Sequence, residues 1–238
     1  MMKKVKVSIV LCVLNEIRVI SDSFERLKQS CEEKQFGIEI IIVDNNSDDG
    51  TKAWLNSCEH PSVVKIFNSA NLGKGGSIKK AIAIAQGEYL IIFDPDQEYD
   101  PSAIWDALSK IEGTDAKCVL GSRRLYQRTK YIYLLNYWGV VFLTTVINML
   151  YGTRLTDAAT AVKCFDLKFL KQIPLVSNGF NLDFELVCRV AQYGGKISEC
   201  DASYSPRSRS EGKKLKAFKD GIQSLIVILK IRFFIVSK

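Results

Sequence analysis

Four runs of apolar, largely β-branched residues dominate the N-terminal part of the chain: Val5–Leu14, Ile38–Val43, Val63–Phe67 and Tyr89–Phe93. Such runs lack the in-out alternation of a half-exposed strand, so they read as strands buried on both faces. Between them, Ile17–Glu33, Thr51–Asn56 and Gly75–Gln86 read as helices. Strand and helix alternating at this pace predict an α/β fold with a mostly parallel central sheet flanked by helices. Val119–Gly121 reads as a further short strand. With 238 residues, 47% of them apolar, the chain can bury a sizeable core.

Ligands of such sheets gather beyond the carboxyl ends of the strands. Asn15-Glu16, Asp44-Asn45 and Asp94-Pro95-Asp96 each sit just past a strand and so converge on one rim. In IIFDPDQEYD (91–100) two further carboxylates follow, Glu98 and Asp100. Carboxylates this close repel unless something positive lies between them. Asp and Pro also favour turns and helix N-caps, but placement after a buried strand suits an oxygen-ligated Mg2+ or Mn2+ shared with phosphates. Asp44, at a strand tip, can accept hydrogen bonds from a nucleobase, whereas Asp48, Asp49 and Gly50 read as a turn. The stretch NLGKGG (71–76) opens a helix and exposes backbone N–H groups suited to a phosphate. It matches neither the dinucleotide nor the P-loop fingerprint. Lys74 within it either reaches an anion or points into solvent.

Exclusions narrow the chemistry. His60 is the only histidine, which removes Ser–His, Cys–His and histidine-based metal chemistry. Catalysis must rest on carboxylates, lysines, arginines and an oxygen-bound metal. The seven cysteines form no C-x-x-C pair and read as reduced thiols of a cytoplasmic protein. A net charge of +7 suits phosphorylated ligands or an anionic membrane surface, and no nucleic-acid-binding signature accompanies it. The opening MMKKVKVSIVLCVLNE reads as a first buried strand rather than a signal peptide.

Residues 131–151, YIYLLNYWGVVFLTTVINMLY, carry no charge. The segment is long enough to span a bilayer, but Asn136, Thr144, Thr145 and Asn148 interrupt it. An interfacial or self-associating helix is the favoured reading, ahead of a buried core helix or a true span. The C-terminal DGIQSLIVILKIRFFIVSK reads equally as a docked helix or as a basic, apolar foot on a membrane.

Taken in order, LNE (14–16), VDNNSDDGT (43–51), NLGKGG (71–76), FDPDQEYDP (93–101), GSRR (121–124), YGTRLTDAATAVKCF (151–165), GFNLDFEL (179–186) and YSPRSRSEGKKLKAFKDG (204–221) resemble the successive motifs of family 2 glycosyltransferases. The branch most resembled is that of the polyprenyl-phosphate sugar synthases, which includes dolichyl-phosphate mannose synthase. The resemblance implies a GT-A domain over 1–215, with a nucleotide-binding half (1–101) and an acceptor half (102–215), and a C-terminal helix over 216–238. It implies that Cys12, Leu14, Asn15 and Glu16 line the nucleoside pocket and that Asp44 and Asn46 hold the base. Gly73, Lys74, Pro95 and Lys213 join the donor-binding set. Asp94, Asp96 and Glu98 would hold Mg2+ or Mn2+, with Asp96 the direct ligand. Arg123, Asp157, Glu185, Arg207 and Lys213 match positions near donor or acceptor phosphates.

The implied reaction inverts the anomeric carbon of a UDP- or GDP-linked sugar. A polyprenyl-phosphate acceptor needs no general base; a saccharide hydroxyl would need one, Asp183 or Glu185. The pair also reads as a helix N-terminal couple favoured by the dipole. Cys12 for proline and Leu14 for an aromatic depart from the family pattern tolerably at a strand end. Ala161-Val162-Lys163 for Gly-aromatic-Arg keeps the charge but loses the planar fork, which leaves the acceptor or donor sugar open. The net charge, the 131–151 segment and the C-terminal helix together predict a peripheral enzyme on the cytoplasmic face of a membrane, and the uncharged helix leaves homo-oligomer formation open. A soluble glycosyltransferase, a nucleotidyltransferase and a non-catalytic nucleotide-sugar-binding module are the alternatives. The nucleotidyltransferase is disfavoured because CVLNEIR (12–18) has no glycine for a triphosphate loop.

Overall fold

A computed structural model describes residues 4–125, 134–206 and 217–234. In chain order the elements are β1 (Val5–Val13), α1 (Ile20–Glu32), β2 (Gly37–Asp44), α2 (Thr51–Ser57), β3 (Val63–Phe67), α3 (Gly73–Ile84), β4 (Tyr89–Ile92) and α4 (Ser102–Glu112). They continue with β5 (Cys118–Ser122), α5 (Leu134–Tyr151), β6 (Lys163–Asp166), α6 (Leu167–Leu170), α7 (Leu182–Gln192), β7 (Ile197–Asp201) and α8 (Ala217–Phe233). The four apolar runs are the first four strands, with ends shifted by a residue or so. Among the described residues the strands form one sheet in the order β3-β2-β1-β4-β6-β5-β7.

Pairing is parallel from β3 through β2 and β1 to β4, and again between β5 and β7. The short β6 runs antiparallel to both β4 and β5. It was not legible in the sequence because it opens on Lys163, a residue buried only because a carboxylate meets it. Both faces of the central strands are covered, as their apolar runs require, while Val64 and Phe67 of the edge strand β3 stay partly exposed. Along β1, Val7, Ile9, Leu11 and Val13 pack with α1, α2 and α4, while Val10 faces α3, α5, α7 and α8. The chain leaves β1 toward β2 and β3, then returns on the other side to β4. The crevice between the carboxyl ends of β1 and β4 is therefore where a ligand is expected in this topology.

Helix α5 packs on α7 and α8 through Leu143, Thr144 and Ile147. The α8 helix is held by side chains that donate to its carbonyls: Tyr151 Oη to Ile228 O (2.7 Å) and Gln192 Nε2 to Ile231 O (2.8 Å). The outer side of α5 is bare, with Leu134, Leu135, Trp138, Phe142 and Met149 between 56% and 77% exposed. By length and composition α5 is the one described helix that could cross a membrane, with a mean hydropathy of 1.4. Truncating Ile147, wholly buried under α8, to Ala should cost about 2–5 kcal/mol in urea denaturation. Met149→Ala, on the bare side of the same helix, should stay within about 0.5 kcal/mol.

Candidate functional site

The rim above β1, β2 and β4 is built on strained backbone. Among the described residues, the non-glycine positions with positive φ are Asn15 (54°), Asn46 (69°) and Gln97 (62°). Asn15 and Asn46 lie two residues past β1 and β2 respectively, and Gln97 lies in the loop after β4. Left-handed backbone costs free energy for a residue with a side chain, and such strain concentrates at ligand sites.

The first two turns are stitched together. Asn15 accepts the Asp48 N–H (2.9 Å) while its own N–H donates to Ser47 Oγ (3.0 Å). Glu16 N–H donates to Thr51 Oγ1 (2.9 Å). The Asp44 carboxylate is wholly buried and accepts the Ser47 N–H through both oxygens. It closes its own turn, with Asn46 exposed beside it. Three asparagines then tie this turn to the NLGKGG loop: Asn45 Oδ1 accepts from Asn68 Nδ2 (3.1 Å) and the Leu72 N–H (2.8 Å), and Asn45 Nδ2 donates to Asn71 Oδ1 (2.8 Å). Asn68 was not singled out from the sequence, although a polar residue just past a buried strand is the signal that marked the other rim residues.

The glycines of this loop serve packing. A Cβ on Gly73, whose φ is +75°, would lie 2.2 Å from Asn178 O, and one on Gly75 2.7 Å from Ser177 O. Gly76 N–H donates to Asn178 O (3.2 Å), so the 177–179 segment meets the start of α3. The expected exposed phosphate cradle is thus partly closed by the protein itself. The close approach carries Lys74 inward, not into solvent.

Lys74 Nζ lies 2.8 Å from Asp94 Oδ2 and 3.6 Å from Asp183 Oδ2, its side chain only 12% exposed. Asp183 in turn meets Lys163 Nζ at 2.7 Å. Lys163 is wholly buried and also donates to Thr160 O. The result is an alternating row, Asp94–Lys74–Asp183–Lys163, contributed by the end of β4, α3, α7 and β6. Burial alone would raise the Asp183 pKa, but Lys163 and Lys74 outweigh it and hold the carboxyl below its ordinary range. Burial would likewise lower Lys74, yet Asp183 and Asp94 raise it. Cys12, half-buried beside Lys74 O, has its thiol pushed well up, chiefly by burial, and stays neutral. Leu14 and Glu16 are half-buried nearby in the chain, and Pro95 is buried.

Glu185 is not brought to this row. Two residues on along α7, it is wholly buried and accepts the N–H groups of Val176 (2.9 Å) and Ser177 (2.7 Å), with Arg189 at 3.8 Å. It braces the loop that packs on the glycines. Asp157, also wholly buried, takes Arg123 in a two-pronged pair (Nε–Oδ2 2.6 Å, Nη2–Oδ1 2.8 Å). Arg123 lies over the Tyr204 ring at 5.1 Å, and Tyr204 Oη donates to Glu98 Oε2 (2.8 Å). Tyr204, missed in the sequence, also bridges to Tyr99. Glu199, missed as well, holds the Thr156 and Asp157 N–H groups at 2.9 Å. Arg207 and Lys213, with Arg209 and Lys214, lie outside the described residues.

The expected three-carboxylate metal set is not assembled. Asp94 is engaged by Lys74 and Glu98 by Tyr204, and among the described residues no three His, Cys, Asp or Glu side chains converge. Asp96, half-buried at the left-handed turn, accepts the Glu98 N–H (3.1 Å). Its hard oxygens fit Mg2+ or Mn2+ when most remaining ligands come from a bound diphosphate, the usual habit of Mg2+.

The sequence profile of Glycosyl transferase family 2 matches residues 8–172. The chain belongs to this family. A dolichyl-phosphate β-glucosyltransferase of Dictyostelium discoideum is 26% identical over 235 residues, covering 90% of the chain and 69% of that protein. An undecaprenyl-phosphate mannosyltransferase of Micrococcus luteus is 23% identical, covering 87% of each. The low-salt glycan biosynthesis hexosyltransferase Agl6 of Haloferax volcanii is 25% identical over 217 residues; the match covers about half, 51%, of its length. The fold is GT-A, similar to that of glucosyl-3-phosphoglycerate synthase from Mycobacterium tuberculosis in complex with Mn2+, UDP-glucose and glycerol 3-phosphate. That likeness has a TM-score of 0.72 at 15% identity and covers 95% of this chain and 80% of the other.

The depressed Asp183 pKa gives the buried row a pH signature. A group more acidic folded than unfolded stabilises fully above its unfolded value, about 3.9 for Asp, and loses that contribution as pH falls through the lower folded value. Denaturation midpoints followed from about pH 5 to about pH 2 should therefore fall more steeply for the native chain than for Asp183→Asn.

Proposed function

We propose that the protein is an inverting glycosyltransferase that moves a sugar from a UDP- or GDP-linked donor to a polyprenyl phosphate at a membrane surface. One observation carries the acceptor assignment: both candidate bases are already spent. A general base works best with a pKa near the working pH. Asp183 is held as an anion between two ammonium groups, and Glu185 is sealed against backbone N–H groups. These contacts already engage both carboxylates, which disfavours either as the base for a saccharide hydroxyl. A phosphate monoester needs none, because it arrives as the nucleophile. The Dictyostelium relative is named for dolichyl phosphate and the Micrococcus relative for undecaprenyl phosphate, which supports the same acceptor class.

In this reading the donor diphosphate lies across the β1/β4 crevice. A divalent cation held by Asp96 would supply a Lewis acid to the departing nucleoside diphosphate. Arg123, fixed by Asp157 and Tyr204, is a preorganised positive group for phosphate oxygens, costing no rearrangement when charge develops. Asp183 keeps Lys74 and Lys163 in place rather than taking a proton.

The bare sides of α5 and α8 fit a membrane surface. Trp138 is 63% and Phe233 65% exposed, and Lys230 and Arg232 sit in the last turn of α8. Aromatic side chains favour the lipid headgroup boundary, and basic ones favour anionic lipids. The protein would act at the cytoplasmic face as a peripheral enzyme.

Calorimetric titration with UDP and with GDP, with and without Mn2+, should show metal-dependent binding of one nucleotide that Asp96→Asn abolishes. The matching nucleotide sugar should then glycosylate a polyprenyl phosphate and not a free saccharide. Its rate should climb as the acceptor loses its second phosphate proton, near pH 6 by analogy with phosphorylated side chains, about 6. Transfer to a saccharide alone would overturn the acceptor assignment. On anionic vesicles, Trp138→Ser with Phe233→Ser should weaken binding by about tenfold or more, given the usual gain from burying such side chains. Unchanged co-sedimentation would remove the membrane-facing role of these helices.

A further inference from the structure

We propose that Lys74 is a positioning residue that acts as the resident counter-cation of Asp94, so that a divalent cation enters this site only together with the donor diphosphate. The inference deepens the reading of the crevice as a nucleotide-sugar site and rests on it. It answers the question posed by the carboxylates that follow β4: the positive charge among them belongs, in the first instance, to the protein.

The geometry has three parts. Lys74 Nζ is within ion-pair distance of both Asp94 (2.8 Å) and Asp183 (3.6 Å). Its position is not free to drift, because the Asn45–Asn71 and Asn45–Leu72 hydrogen bonds fix the loop on one side. The Ser177–Asn178 backbone pressed against Gly73 and Gly75 fixes it on the other. Finally, Glu98 is drawn toward Tyr204, away from any shared cage with Asp94.

An ammonium held beside a carboxylate has two effects on a dication. It occupies one of the two carboxylate oxygens, and it repels the metal over the few ångströms between them. Asp96 alone is then too poor a donor set for Mg2+ or Mn2+, which take several oxygen ligands. A diphosphate changes the balance by bringing both oxygen ligands and negative charge. The two carboxylates of D-P-D therefore have different work. Asp94 anchors Lys74, and Asp96 meets the cation.

The test is Mn2+ binding followed by electron paramagnetic resonance in the full chain without nucleotide, so it does not depend on turnover. The native protein should hold Mn2+ weakly. Lys74→Met should gain a site tighter by about tenfold or more, as expected when a nearby like charge is removed. Lys74→Arg, which keeps the charge, should resemble the native protein, and Lys74→Met combined with Asp94→Asn should lose the gain. A folded Lys74→Met, judged by circular dichroism, that binds Mn2+ no better than native would overturn the proposal. With the cognate nucleoside diphosphate present, Asp94→Asn should keep most of the native Mn2+ affinity while Asp96→Asn loses it. Equal losses in the two variants would also overturn it. If neither UDP nor GDP binds but Lys74→Met still gains Mn2+, the counter-cation role stands and the nucleotide-sugar reading falls.

Discussion

The row of alternating charges, Asp94–Lys74–Asp183–Lys163, is the constraint around which this molecule is arranged. It is drawn from the end of β4, the start of α3, the first turn of α7 and the start of β6. Lys163 and Asp183 are buried, Lys74 and Asp94 half-buried, and each charge lies within ion-pair distance of an opposite one. A buried ion pair seldom adds stability relative to an apolar replacement, whereas removing one partner leaves a costly stranded charge, about 3–5 kcal/mol. What such a row supplies is registration. It fixes how the strands that carry the rim beyond β1, β2 and β4 meet the helices that follow.

The other polar structures around the crevice support the same geometry by different means. Glu185 does not face the crevice, yet it holds the Val176–Ser177 backbone that packs on Gly75. Glu199 holds the loop that presents Asp157 to Arg123. Much of the acidic inventory is thus used to orient cations and amides.

Legibility followed physical range. The first four strands could be read because each is rich in apolar residues and bounded by polar turns, both local properties. Their carboxyl ends, and hence the location of the rim, followed from the direction of a parallel sheet. The short β6 escaped because KCFD has neither an apolar run nor alternation; its Lys163 is buried on the strength of Asp183, twenty positions away. Lys74 could be located but not oriented, since its inward course depends on the 177–179 backbone. The ligand role of Glu98 rests on the family resemblance, and the hydrogen bond that Tyr204 Oη donates to it comes from 106 positions away, beyond the reach of local pattern. Residues whose role is set by chain neighbours were readable; those set by a distant partner were not.

The antiparallel β6 has a consequence for how the chain acquires this shape. It sits between β4 and β5, so neither can complete its pairing without it. During synthesis one edge of β4 stays open until residue 166 has emerged, long after β1–β4 could have formed their parallel half. An open apolar edge of this kind invites pairing with another nascent chain. The interval between β4 and β6 is therefore a window in which the growing polypeptide depends on chaperone shelter or on fast closure, and the same late strand that delivers Lys163 to the site also ends that exposure.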